Sequence, residues 1–222
     1  MLTKTEKPFS ILFFIIVITE LFCGSIESLS QFHYFTKPLI LVSLIVFFYK
    51  QGKHLNKSTR NITLLALVFS LVGDVLLMFV NKSANFFISG LVAFLLAHVM
   101  YILVFLKSRN KTANVLPIVV ILLIYASGVF YFVKDGLGDM LFPVLAYLLV
   151  ILVMAATAFL RKRSNRNSYI LIFVGAIFFM ISDSLLALNK FYQPLPLSNI
   201  SIILTYALAQ YLIVLGILNQ KN

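Results

Sequence analysis

Eight long apolar runs, joined by short polar connections, fix what this chain can fold into. They cover 8–29, 36–50, 62–80, 84–107, 114–133, 140–160, 168–188 and 199–218. A hydrocarbon core about 30 Å thick takes roughly 20 helical residues. Within it only helices and closed barrels satisfy their own backbone polar groups. The runs are continuously apolar, not alternating, which selects helices over barrel strands. The second run is short, and the last is interrupted by polar residues. The predicted fold class is an all-α transmembrane bundle of eight helices, one integral membrane domain over 1–222 with no extramembrane domain. Any function then sits within the helices or at their ends.

Composition agrees: 61% of residues are hydrophobic, mean hydropathy is +1.02, and only 11% are charged. A net charge of +11 raises the possibility of nucleic acid as a partner. The charges form short clusters between apolar runs, which is the pattern of membrane topology and not of a nucleic-acid surface. With eight spans, Lys4–Lys7, Lys50–Arg60, Lys107–Lys111, Arg161–Arg166 and Lys221 fall on one side, and Lys37, Lys82, Lys134 and Lys190 on the other. That is 14 of the 18 basic residues against 4. A seven-span chain would break the alternation. The basic side is expected to be cytoplasmic, with both termini there and the protein in a bacterial inner membrane. Cys23 is the single cysteine, so an intrachain disulfide is excluded. The first run follows Lys4 and Lys7 but lacks a small-x-small cleavage site, so it reads as an uncleaved helix.

Two segments repeat. FSLVGDVLLM (Phe69 to Met78) closes the third run and FFMISDSLLA (Phe178 to Ala187) the seventh. Aligned on Asp74 and Asp183, both carry Phe, a Gly or Ser before the acid, and Leu-Leu after it. The next runs carry Ala97-His98 and Ala209-Gln210. The chain therefore reads as two parallel four-helix repeats, 8–107 and 114–218, about a pseudo-axis along the membrane normal. Counted from Asn81 and Asn189, both acids lie roughly 10 Å below the non-cytoplasmic end at 1.5 Å per residue.

Acidic side chains in a span cost at least roughly 2.5–3.5 kcal/mol on insertion scales, so Asp74 and Asp183 should face the bundle interior or a wet cavity. Paired carboxylates near neutral pH supply one acid and one base; the bland alternative is a helix-tying role. His98 shares a face with Tyr101, and Tyr206 with Gln210; each reads as an orienting group or as interhelical glue. A metal site of His98, Asp74 and Asp183 is weakly signalled, because zinc wants three or four ligands and His33 and His54 lie at opposite membrane faces. No metal or cofactor is expected. Glu20 and Glu27 are seven apart in the first run and share a face; Glu27 is near the outer end, and Glu20 is deeper. Lys37, before Pro38, is a cation at the outer boundary.

GDVLLM, GLVAFLLAHVMY, ISDSLLALNKF and TYALAQYLI, in this order and with Lys37-Pro38, resemble the YhhN-like lysoplasmalogenase family. The resemblance runs from about Lys37 to Gly216. It implies a membrane enzyme acting on a lyso-lipid, cleaving the vinyl ether bond of lysoplasmalogen to a fatty aldehyde and a glycerophospho-ethanolamine or -choline. By this resemblance Asp74 and Asp183 would be catalytic, and Lys37, His98, Tyr101, Ser182, Tyr206 and Gln210 would bind or orient substrate. The bilayer is the other partner, and the oligomeric state is open. The competing class is a small proton- or solute-coupled transporter using the same acids. All six prolines lie at or near span ends or in loops, which argues against the broken helices of transporters. A structural or partner-binding protein is the third class.

Overall fold

A computed structural model describes residues 3–162 and 165–220. Two members of the basic set, Arg163 and Lys221, lie outside the described residues. Among these residues the fold is eight helices: α1 (Glu6–Ser25), α2 (His33–Gln51), α3 (Lys57–Leu77), α4 (Ala84–Leu106), α5 (Leu116–Val133), α6 (Leu141–Phe159), α7 (Arg166–Phe191) and α8 (Ser198–Leu218). Seven are long and apolar enough to cross a membrane. The exception is α2, whose first turns carry His33, Thr36 and Lys37 ahead of its apolar stretch.

Several boundaries differ from the sequence expectation for local reasons. The first helix stops at Ser25, not at 29, because Ile26 turns to extended backbone (φ −104°, ψ 118°) and a 3-10 turn follows at Glu27–Leu29. Exposed Glu27 is thus off the helix and shares no face with Glu20. The second helix begins three residues early, at His33, which puts Pro38 in its second turn. The third ends at Leu77, where Met78 N–H bonds back to the Asp74 carbonyl and the chain turns while still apolar. Side-chain caps start three helices: Asn56 accepts from Ser58 N–H, Ser83 from Asn85 N–H and Asn165 from Ser168 N–H. These oxygens satisfy amides left unpaired at helix starts.

The helices form two tightly packed hairpins, α3 with α4 and α7 with α8. In the second, a side chain at Gly175 would place Cβ 3.0 Å from both the Ala209 carbonyl and the Ile213 amide nitrogen, and one at Gly216 would sit 2.9 Å from Ile172 N. The two backbones therefore touch through glycine, as small residues allow in membrane bundles. The fully buried core, including Phe13, Leu44, Phe48, Phe105, Met154 and Phe179, runs through all but the outermost helix surfaces.

One end of the bundle is tied by cross-links between connections. Arg109 and Arg161 form an isolated β-bridge, with Asn110 N–H on the Leu160 carbonyl and Lys162 N–H on the Ser108 carbonyl, each at 2.7 Å. At this end α1 is anchored to α8, with Ser10 and Tyr211 hydroxyls 2.5 Å apart and Asn219 Nδ2 donating to Glu6. The opposite end holds the cavity, with side-chain ties of its own around it.

Candidate active site

A cavity of about 510 Å³ opens at that second end. Its walls come from the last turns of α1, α3 and α7 and the first turns of α2, α4 and α8. Ser30, Gln31, Asn81 and Asn199 rim it with polar groups, and Phe94, Leu186 and Ile203 make it apolar inside. Asp74 and Asp183 both line it, as do Lys37, Ser182 and Tyr206. The two acids sit on different hairpins yet lie within electrostatic range of each other. Lys37, His33 and Glu20 lie within electrostatic range of Asp74.

Each acid has its own hydroxyl donor. Tyr206 on α8 donates to Asp74 Oδ2 at 2.9 Å, and Tyr147 on α6 donates to Asp183 Oδ2 at 2.6 Å. These bonds offset part of the cost of taking carboxylates out of water. Asp74 is 3% exposed as a residue, and the Asp183 side chain is 13% exposed. Gly73 makes room for this arrangement: a Cβ there would lie 2.6 Å from Phe94 Cε2. The Phe94 ring lies flush on α3 beside Asp74 and meets the Tyr206 ring edge-on, with centroids 5.8 Å apart.

The remaining residues singled out from the sequence lie around this cavity in different ways. Ser182 lines it and donates to the Ile202 carbonyl at 3.0 Å, tying α7 to α8. Tyr101 and Gln210 are buried behind it and do not line it. Tyr101 donates to Gln210 Oε1 at 2.6 Å, while Gln210 Nε2 donates to Ser70 Oγ at 2.9 Å and reaches the Tyr206 hydroxyl at 3.4 Å. Gln210 therefore reaches Asp74 only through Tyr206. His98 is fully buried between the Tyr147 and Phe179 rings, with Nε2 3.6 Å from Asp183 Oδ2. That separation is too long for a hydrogen bond, and neither ring nitrogen has a partner. Among the described residues, no three His, Cys, Asp or Glu side chains gather as a metal site.

Two contributions were not read from the sequence. Tyr147 is a single tyrosine in an apolar run, and nothing in its spacing marks it as the donor to Asp183. Glu20 and His33 pair across the α1–α2 connection, with Glu20 Oε1 2.6 Å from His33 Nδ1. A second, narrow slot of about 40 Å³ lies between α5, α6 and α7, lined by Phe130, Val144, Tyr147, Ile151, Met180 and others. Among the described residues, Asp183 is the one that lines both spaces.

The YhhN family profile matches residues 32–217. The chain belongs to the YhhN family. This YhhN protein is similar to human lysoplasmalogenase TMEM86B, 34% identical over 155 residues, covering 70% of this chain and 62% of the human one. It is 31% identical to human lysoplasmalogenase TMEM86A over 159 residues (70% and 65%) and 26% identical to the Bos taurus TMEM86A over 190 residues (83% and 77%). The alignments thus span less than two thirds of the two human proteins. No solved structure matches the chain. In this YhhN protein the matched segment carries Asp74, Asp183 and both of their tyrosine donors, whereas Glu20 on α1 lies before it.

Proposed function

We propose that this protein is a membrane-embedded lyso-lipid hydrolase that cleaves the vinyl ether bond of lysoplasmalogen. The products would be a fatty aldehyde and glycerophosphoethanolamine or glycerophosphocholine. The observation that carries the reading is the convergence of Asp74 and Asp183, each with its own tyrosine donor, on one 510 Å³ cavity. The kinship with proteins named lysoplasmalogenase supports it.

The chemistry needs two unequal carboxyl groups. Protonation of the vinyl ether β-carbon gives an oxocarbenium ion, water adds, and the hemiacetal collapses to aldehyde and alcohol. Glycoside hydrolysis meets a similar cation with an acid and a second carboxylate. In the proposed pose the headgroup occupies the polar-rimmed cavity, with its phosphate near Lys37. The hydrocarbon chain leaves through the slot between α5, α6 and α7, which must widen to take it. Asp183, lining both spaces, then lies beside the bond between head and chain and acts as the acid. In this reading Asp74, within electrostatic range of Lys37, is the ionised member of the pair. Tyr206, backed by Gln210 and Tyr101, holds Asp74, and Tyr147 holds Asp183; Ser182 ties α7 to α8 at the cavity wall, and His98 packs beside Asp183.

The topology proposed with this reading has both termini on the cytoplasmic side and the cavity opening at the other end, by the positive-inside rule. The two four-helix halves are proposed to be a parallel duplication. A transporter is the less favoured reading: among the described residues no span is broken, and the helical prolines sit in the first two turns.

The test is mass-spectrometric detection of aldehyde released by the purified protein from a panel of lyso-lipids. The vinyl ether lyso-lipid should be cleaved and the ester and saturated ether analogues left intact. Asp74→Asn and Asp183→Asn proteins that still insert should each lose at least about 100-fold in kcat, the lower end for acid–base groups. Full activity in either would remove the pair from the mechanism.

A further inference from the structure

A second acid–base couple stands at the same cavity: His33 lines it, and Glu20, which precedes the matched YhhN segment, backs His33. Glu20, near the end of α1, is wholly buried, with no exposed surface. Both of its oxygens are engaged: Oε1 lies 2.6 Å from His33 Nδ1, and Oε2 accepts the Thr36 hydroxyl at 2.5 Å. His33 and Thr36 stand three apart on the first turn of α2, so one carboxylate grips one face of that turn. The abrupt end of α1 at Ser25 brings the chain back within reach. Gly24 lies beside the pair, where an added Cβ would sit in ordinary van der Waals contact, 3.5 Å from His33 Nδ1 and 3.7 Å from Glu20 Oε1.

A carboxylate on Nδ1 fixes the imidazole. The neutral tautomer carries its proton on Nδ1, donated to Glu20, and presents Nε2 as a lone pair. Among the described residues Nε2 has no hydrogen-bond partner, and His33 lines the 510 Å³ cavity together with Cys23, Gly24 and Lys37. A ring held by a buried carboxylate, with its second nitrogen free at a cavity wall, has the layout of a base and its orienting group. Burial of Glu20 has a cost that a purely structural tie would not need, since an apolar contact could join the same two helices.

We infer that His33 is the base that takes the proton of the attacking water, and that Glu20 is the residue positioning it. The inference rests on the hydrolase reading above and adds a third group to it. Asp183 gives its proton to the β-carbon, leaving an oxocarbenium ion. Water oxygen then bonds to the α-carbon, the one that bears the ether oxygen, as Nε2 removes one water proton, forming the hemiacetal and an imidazolium. On collapse the hemiacetal hydroxyl returns its proton to Asp183, the carbon–oxygen bond to glycerol breaks, and the imidazolium protonates the departing oxygen. The sum is vinyl ether plus water giving aldehyde plus alcohol, with both residues restored.

The experiment is steady-state aldehyde release from a 1-alkenyl lysophosphoethanolamine by the full chain in detergent micelles. His33→Asn keeps a donor near the Nδ1 position for Glu20 but has no base. It should lower kcat by about 100-fold, the lower end for a general base, with KM within about threefold of the parent. Added imidazole should restore part of the rate to His33→Ala and none to Asp183→Asn. Glu20→Gln should lower kcat by about tenfold in the parent and have no further effect in His33→Asn, since a residue acting through another is silent in its absence. A His33→Asn protein with near-parental kcat, beside an inactive Asp183→Asn protein, overturns the role of His33 while the hydrolase reading stands. Additive losses from Glu20→Gln and His33→Asn, without imidazole rescue, reduce the pair to a structural tie. An inactive parent protein defeats both readings together.

Discussion

Gly73→Ala is a one-carbon change whose consequence can be worked through from the geometry around Asp74. The added Cβ would lie 2.6 Å from Phe94 Cε2 and 2.7 Å from Cδ2. Carbon atoms pack at about 3.5–4.0 Å, so the ring or the helix must give by about 1 Å. Phe94 is not free to swing: its edge contacts are Tyr206, with centroids 5.8 Å apart, and Phe179, at 6.5 Å, and those two rings meet at 5.4 Å. The displacement therefore reaches Tyr206, whose hydroxyl holds Asp74 at 2.9 Å. Overpacking of this kind costs about 1–3 kcal/mol of stability, and a misplacement of about 1 Å at a reacting group costs about 100-fold in rate. The assay is a thermal melt of the detergent-solubilised protein, followed by size-exclusion chromatography, beside aldehyde release. Gly73→Ala should melt lower and turn over more slowly. Phe94→Leu, which removes the clashing ring edge, should partly restore both when combined with it. The combined loss should fall short of the sum of the single losses by about 0.5–3 kcal/mol, as for residues in contact. A Gly73→Ala protein with parental melting and parental activity would refute the packing argument, and strictly additive single losses would show that the two positions do not touch.

Other outcomes follow from single contacts. Tyr147→Phe removes the one hydroxyl bonded to Asp183; hydrogen bonds to charged groups are worth about 1.5–3 kcal/mol, so kcat should fall about 10- to 100-fold, with no further fall in an Asp183→Asn background. Ser10→Ala should destabilise the protein by about 1–3 kcal/mol by stranding the buried Tyr211 hydroxyl, and adding Tyr211→Phe should recover most of the loss, both read by thermal melts. With Cys23→Ser as background, Lys82→Cys should react with a membrane-impermeant maleimide added to intact cells, and Lys111→Cys only after lysis; the reverse labelling would invert the proposed topology.

Much of the fold was open to reading because the bilayer leaves few choices. Continuous apolar runs between basic clusters have one solution, and all eight helices fall within a few residues of those runs. The boundary misses came where local polar chemistry outcompetes hydropathy. The stretch at 78–83 turns before its hydrophobicity ends, and Ile26 leaves the helix although it is apolar. Asp74 and Asp183 stood out because an acid in an apolar run is costly wherever it goes. Of their partners, Tyr206 was legible as an orienting group that shares a face with Gln210, whereas Tyr147 was not. A tyrosine donates a hydrogen bond only if the packing brings an acceptor to it, and Tyr147 and Tyr125 look alike in a sequence of ten tyrosines. Glu20 and His33 were visible as polar residues, but their pairing depends on where α1 stops. That end is set by two or three residues whose hydropathy says nothing about a turn.

The proposed duplication explains why the two acids are not equivalent. Aligning Ala97-His98 with Ala209-Gln210 places Phe94 opposite Tyr206. Both rings sit against each other in the bundle, but only one carries a hydroxyl. On α8 that hydroxyl serves Asp74. On α4 the phenyl ring has nothing to donate to Asp183, which takes its hydrogen bond from Tyr147 on a helix outside the hairpin and lies next to an unpartnered His98. One oxygen atom at a single aligned position thus gives two carboxyl groups of common sequence different surroundings. Acid–base hydrolysis requires that inequality, because two identical carboxyl groups in one cavity would have no environmental reason to divide the roles of proton donor and anion.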